Sequence, residues 1–298
     1  MSTPVPATSE APLTTATLTP FDVTRKLQAE LAAGDVRLPS FPDIAARVQQ
    51  VLEDSRATPV KVAKVLGADA ALAARVLRIA NSSVFNPSGR PVTDLPHAVS
   101  RLGFELVRCA AMSFALRQMK IVDAESELRP QLQELWRKGA LVASIGYVVA
   151  RETHATNPDE ALVTGLLHNV GRLYLLLRAR TLSSAVMETG MWDQVSHDWH
   201  PRIGSAILEH WKFPERVVRA VADQNAWDRP TPGGGGALTD VLIVATSLVP
   251  CVFYRELLDD TVTAVAPFRR LVLATEDCNR LLAATAPHIH GLRDALAA

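Results

Sequence analysis

Residues 161–176 read ALVTGLLHNVGRLYLL, an apolar run that holds one polar pair, His168-Asn169. Its start is well marked. Asn157 is a good N-cap, Pro158 suits the first helical position, and Glu160 stands three residues after the cap, the spacing of a capping box. Leu162, Leu166, Leu167 and Val170 follow at helical spacing, so the whole stretch is expected to form one helix. A His-Asn pair beside a buried face needs partners, because an unpaired buried polar group costs free energy.

The chain on either side is also helical in pattern. Upstream, 21–33 is amphipathic and Gly34 suits its C-cap. Pro42 opens a helix with Ile44, Val48, Val51 and Leu52 on one face. Thr58-Pro59 reads as cap and first turn of the next, with Val62, Val65 and Leu66 inward. Asp69 caps a fourth, with Leu72, Val76, Leu77 and Ala80 inward. Asn81 suits the turn that follows, because its side chain can bond nearby backbone. Pro and Gly make 86–91 a loop. Asp94 caps the next helix, which Gly103 separates from one over 104–119. A polar connection over 123–129 leads to a long helix with Leu132, Leu135, Trp136, Ala140, Ala143 and Val148, whose small residues allow close packing.

Downstream, helices are expected over 183–188, 201–211 and 214–223, then over 238–258 and 267–284. Thr231-Pro232 with Gly233 to Gly236 is a flexible linker and not a phosphate loop, since no Lys-Ser/Thr follows the glycines. No stretch reads as a strand and no repeat is present, so the fold class is all-α.

The 298 residues suffice for one large or two modest domains, and 48% hydrophobic with 21% charged content fits a globular chain. Lys plus Arg and Asp plus Glu are both 31, a net charge of zero that argues against a strongly basic nucleic-acid binder. Cys109, Cys251 and Cys278 are odd in number and far apart, and read as reduced thiols of a cytoplasmic protein. No apolar run approaches the ~18 residues of a membrane span. The N-terminus lacks the basic start and apolar core of a signal peptide, and its Thr, Pro, Ala and Ser content reads as a disordered tail.

The segment LLHNVGRL resembles the LLHDIGK segment of HD-type phosphohydrolases, and more closely that of the HDOD family, the HD-related output domain of bacterial signalling. Four further segments resemble HDOD segments in family order: LPSFPDIAARVQQVLED (Leu38 to Asp54), ADAALAARVLRIANSS (Ala68 to Ser83), LPHAVSRLG (Leu95 to Gly103) and HPRIGSAILEHWKFPERVVRAV (His200 to Val221). The resemblance implies an HD-like helical fold. The expected division is a tail over 1–20 and a domain over 21–230, with an N-terminal helical lobe over 21–122 and an HD-like lobe over 130–230. A linker over 231–236 and C-terminal helices over 237–298, packed on the domain, complete it.

In an active HD hydrolase, imidazoles and carboxylates converge on a metal that makes bound water nucleophilic toward a phosphoester. By the resemblance, His168-Asn169 stands here for His-Asp, Lys138 for an upstream His, and Gln224-Asn225 for a His-His pair. His200 matches a His the family often keeps, four residues before Gly204. Asn169 has no charge, and a cation at Lys138 opposes a metal. The set therefore reads as a degenerate site, with no catalytic residue, no metal and no cofactor expected. His168 by itself reads as a core histidine bonded to Asn169 or to backbone. His197 and His210 carry no special claim, Cys109 lies in an apolar helix where a thiol is inert, and most of the five tryptophans are packing anchors.

The function the resemblance implies is a non-catalytic bacterial signalling module that acts on a protein partner, with stress response, motility, biofilm or virulence control as outputs. Three alternatives stand beside it. One is a sensor that binds a nucleotide such as cyclic di-GMP without cleaving it, with Arg137, Lys138 and Arg172 as contact candidates. The second is a residual metal-dependent phosphohydrolase. The third is a transcription regulator using the N-terminal helices, whose succession resembles a helix-turn-helix; Arg75 and Arg78 there read as a solvated face. Leu242, Ile243, Leu248, Val252 and Phe253 serve either the core or a second copy in a homodimer.

Overall fold

A computed structural model of the protein describes residues 43–121, 129–179, 191–228, 236–253 and 258–297, with Ala29 apart from them. The tail over 1–20, the helix over 21–33, Pro42, the helix over 183–188 and nearly all of the connection over 123–129 and the linker over 231–236 lie outside the described residues. Every regular element among the described residues is a helix.

The early helices start where the sequence places caps. These are α1 (Asp43–Glu53), α2 (Pro59–Leu66), α3 (Ala70–Ala80) and α4 (Leu95–Ile121). Thr58 accepts from the Lys61 amide, Asp69 from those of Ala71 and Leu72, and Asp94 from that of His97, which satisfies amides a helix start leaves open. Asn81 ends α3 and also binds the following loop: its amide donates to the Leu77 and Val92 carbonyls, and its side-chain oxygen accepts from the Val92 amide. Gly103 breaks α4 with φ 76°, a left-handed value that glycine adopts without strain. Helices α1, α2 and α3 all pack on α4.

The second group is built on α5 (Arg129–Thr153), which packs against α6 (Pro158–Leu167), α10 (Ala237–Ser247) and α14 (Thr275–Ala297). Helices α5 and α6 run antiparallel. Gly139 lies against Leu166, Gly165 against Ala143, and Gly146 against Ala161. A Cβ on Gly165 would fall 2.5 Å from the Ala143 Cα, so only glycine lets the two backbones come this close. Helix α4 packs on α6, and one continuous core joins the helices before and after the 123–129 connection.

Four expectations about the elements need correction. The stretch over 161–176 is two helices, α6 and α7 (Val170–Ala179), with His168-Asn169 at the break. The capping box does not close: Asn157 accepts from the Asp159 amide, but the Glu160 carboxylate pairs with Arg216 of α9 (Glu215–Ala222). A charged partner 56 residues away outcompetes the local backbone amide. The helix expected to start at Pro201 begins earlier, as α8 (Met191–His210), and runs through that proline. The region expected to give two C-terminal helices gives α10, α11 (Val249–Phe253), α12 (Asp260–Thr263), α13 (Ala266–Arg270) and the long α14.

Two further contacts seat the C-terminal helices. The guanidinium of Arg270 in α13 grips Asp240 of α10 through two bonds of 2.7 and 2.6 Å, with Asp240 buried. Arg75, read from sequence as solvated, is 3% exposed and donates to the Leu296 carbonyl of α14; Arg78 is exposed. Leu242, Ile243 and Leu248 are buried in the chain itself. No described helix is long and apolar enough to cross a membrane.

Candidate functional site

The site is a cleft of about 1770 Å³, part of it open to solvent, bounded by α5, the α6–α7 junction, α8, the end of α9, and α10 with α11. Lys138, His168, Asn169 and Arg172 line it. So do His200, Gln224 and Asn225. The structure thus brings together residues spread over nearly ninety positions of sequence. Arg137 is not among them. One residue from Lys138 on a helix, it is turned about 100° away, and it is ion-paired with Glu134 at 2.7 Å.

Close approach of α7 and α8 creates the arrangement. A Cβ on Gly171 would meet the His200 carbonyl oxygen at 2.0 Å and the Gly204 amide nitrogen at 2.7 Å. Two glycines, one per helix, therefore allow backbone contact and bring His168 and His200 to the same cleft. Both imidazoles are nearly fully enclosed, at 3% and 2% exposure.

Each ring is oriented by backbone. His168 Nδ1–H donates to the Gly165 carbonyl at 2.5 Å, the backbone option among those expected for a core histidine. His200 Nδ1–H donates to the carbonyls of Ser196 and His197, both at 2.9 Å. Pro201 helps to explain the second bond. A residue at 201 would normally donate its amide to the His197 carbonyl, but proline has none. The freed carbonyl accepts from His200 and also from the Asn225 side chain at 3.0 Å. With Nδ1 carrying the proton in both rings, Nε2 is left as an acceptor. Both rings make hydrogen bonds only through Nδ1 among the described residues.

Burial keeps both rings neutral. It pulls His168 down to about 4, with the bond to Gly165 opposing and the Arg172 charge adding to the fall. Burial pulls His200 to about 3, and Arg172 and then His168 push the same way. Burial also lowers Arg172 itself, with Asp193 opposing.

The remaining family positions are used structurally. The Gln224 amide donates to the His168 carbonyl at 3.2 Å and to the Val221 carbonyl at 2.8 Å. Gln224 and Asn225 thus tie the end of α9 to the α6–α7 junction and to α8. Lys138 lies 3.5 Å from Glu134, one turn back on α5. Asn169 borders the cleft and also a smaller apolar pocket between Leu135, Leu166 and Leu173.

Sequence reasoning missed Glu134, Asp193, His197 and Trp227, which also line the cleft. Glu134 could have been found from its position four residues before Lys138. His197 lies one turn before His200, its ring centroid 6.2 Å from that of His200. Nothing local marks Asp193 or Trp227. Elsewhere, Cys109 is fully buried and its thiol is pushed up to about 12, as expected of an inert cysteine. Trp199 and Trp211 are packing residues.

A metal of the HD type does not fit this donor set. No group of three or more His, Cys, Asp or Glu able to hold an ion occurs among the described residues. Among the described residues no carboxylate is hydrogen-bonded to either imidazole, and the Arg172 charge that acts on both would oppose a cation.

An all-α chain with a cleft at an HD-like His-Asn junction defines a class, the HD-related helical proteins. A family model described as "HDOD domain" matches residues 38–227, and the chain belongs to that family. Among solved structures, one similar chain is a Shewanella amazonensis protein that carries the name of a metal-dependent phosphohydrolase. It is 21% identical with a TM-score of 0.75, over 93% of this chain and 99% of that one. An HDOD domain protein from Geobacter sulfurreducens is 22% identical with a TM-score of 0.61, over 93% and 99%. A Marinobacter aquaeolei protein named for signal transduction is 20% identical with a TM-score of 0.59, over 94% of this chain and 67% of that one. At these identities the likeness is one of fold. No curated protein matches the chain.

Proposed function

We propose that this chain is a non-catalytic regulatory protein that passes a signal by contact with a protein partner. The observation that supports this reading best is the fate of the family's ligand positions. Asn169 brings no charge, and Gln224 and Asn225 spend their side chains on backbone carbonyls. Arg172 places a cation where the two imidazoles feel it. A hydrolytic metal site would need the opposite electrostatics. The HD-like helices are then a scaffold, and the input arrives from another molecule.

The test is hydrolysis of bis-p-nitrophenyl phosphate by the full chain with Mn²⁺, Fe²⁺ or Zn²⁺ supplied. The expected rate equals that of the His168→Ala variant. Metal-dependent turnover that disappears in both His168→Ala and His200→Ala would overturn the proposal.

A further inference from the structure

Arg172 is the third residue of α7 and lies half-buried in the cleft wall. Among the described residues no carboxylate is hydrogen-bonded to its guanidinium. Asp193 is the opposite charge that acts on it from a distance. Lys138, by contrast, already shares its charge with Glu134. A guanidinium stays charged in proteins, and its planar fork of donors matches the paired oxygens of a carboxylate or a phosphate. The positive end of the α7 helix dipole is on the same side, at Asn169.

A second observation is independent of that charge. His168 and His200 are more than nine-tenths buried, both line the cleft, and the Nε2 of each is an acceptor with no hydrogen bond among the described residues. The protonated Nδ1 atoms are fixed by backbone carbonyls, so the acceptors cannot turn into donors by a change of tautomer. Both residues line the cleft, where N–H or O–H donors of a ligand can meet these acceptors. Val142, Leu176, Ile243 and Val249 supply an apolar wall, and the space accommodates an organic body as well as a polar head.

We propose that Arg172 supplies in this cleft the fixed positive charge that a metal ion supplies in a metal-dependent site, so that the cleft binds an organic oxyanion without metal. The acidic head, a carboxylate or a phosphate, lies on the Arg172 fork. Donors of the ligand meet His168 and His200 at Nε2, and its apolar body lies on the α5–α10 wall. The inference rests on the reading of the cleft as unable to hold a metal, and goes beyond it by naming a ligand class.

The experiment is calorimetric titration of the full chain in excess chelator with three probes: phenyl phosphate, phenylacetate and inorganic phosphate. At least one aryl probe is expected to bind, and more tightly than inorganic phosphate; which one binds separates a phosphate from a carboxylate ligand. Arg172→Met is expected to weaken that binding by about 10-fold or more, Arg172→Lys by less, and Arg137→Met, outside the cleft, not at all. In the unsubstituted chain the bound probe is expected to shift the ring resonances of His168 and His200, a readout that does not depend on how the variants fold. The idea is overturned if neither aryl probe binds, if Arg172→Met binds as the parent does, or if the histidine rings do not respond. Those outcomes leave the non-catalytic reading standing. In a parallel titration without chelator, binding that requires added Mn²⁺ overturns both.

Discussion

At the residue scale, Gly171 decides most. The position of its missing Cβ is 2.0 Å from the His200 carbonyl oxygen, a backbone atom that cannot rotate away. Gly171→Ala is therefore expected to cost about 2–4 kcal/mol in a urea denaturation series, because α7 and α8 must separate. Gly139→Ala is the control, since its Cβ would meet the Leu166 carbonyl at an ordinary 3.5 Å; it should cost less than about 1 kcal/mol. Equal effects would refute the close approach as the reason for glycine at 171. The two imidazoles give a second expectation. Their folded values of about 4 and about 3 lie below the ordinary 6.5, so below pH 6.5 the unfolded chain binds more protons than the folded one. Stability contributed by the neutral rings is intact above about pH 6.5 and drains away as pH falls toward 4. Urea midpoints measured from pH 7.5 to 5 should fall with pH, and His200→Phe should flatten that slope; an unchanged slope would contradict the burial argument. His168 was legible in the sequence as half of the polar His168-Asn169 pair in an apolar run, and His200 only through the family resemblance. Arg137 does not line the cleft beside Lys138, because one step along a helix turns the side chain by about 100°.

At the scale of elements, local signals were readable and long-range ones were not. Thr58, Asp69, Asp94 and Asn157 cap the helices the sequence gives them, and Gly103 breaks α4. Glu160 failed as a capping-box residue because its partner, Arg216, lies on another helix. The break after Leu167 failed for a similar reason: apolar periodicity runs on through it, and the polar contacts at the junction come from Gln224. Pro201 was read as a helix start, the commonest place for proline, yet it sits inside α8 with the His197 carbonyl taken by side chains. Pro201→Ala would restore an amide that competes for that carbonyl. The expected result is an equal or higher melting temperature, since proline is unfavourable inside a helix by up to ~3 kcal/mol, together with loss of the protected Asn225 side-chain amide in NMR spectra. A large fall in melting temperature would mean that the proline holds α8 in some other way.

At the scale of the whole molecule, one core spans the helices on both sides of the 123–129 connection, and α14 touches both α3 and α5. The C-terminal helices are tied to that core through the part-buried Asp240–Arg270 pair. Asp240→Ala leaves a guanidinium without its carboxylate in a partly buried place, so a loss of about 3 kcal/mol or more is expected from chemical denaturation. Asp240→Ala with Arg270→Met should recover part of it; no recovery would show that the pair does not act as a unit. The all-α class and the family were readable from the sequence, because helical periodicity and motif order are local properties. The extent of α14 was not, because Pro287 inside it and the turn at Leu271-Val272 before it obscure the pattern. The central claim is that this HDOD cleft is not a metal site. The most direct measurement is metal content by elemental analysis after incubation with Mn²⁺, Fe²⁺ or Zn²⁺ and gel filtration. The result predicted is well under one ion per chain, unchanged in His168→Ala and His200→Ala. One or two ions per chain, lost in both variants, would contradict it.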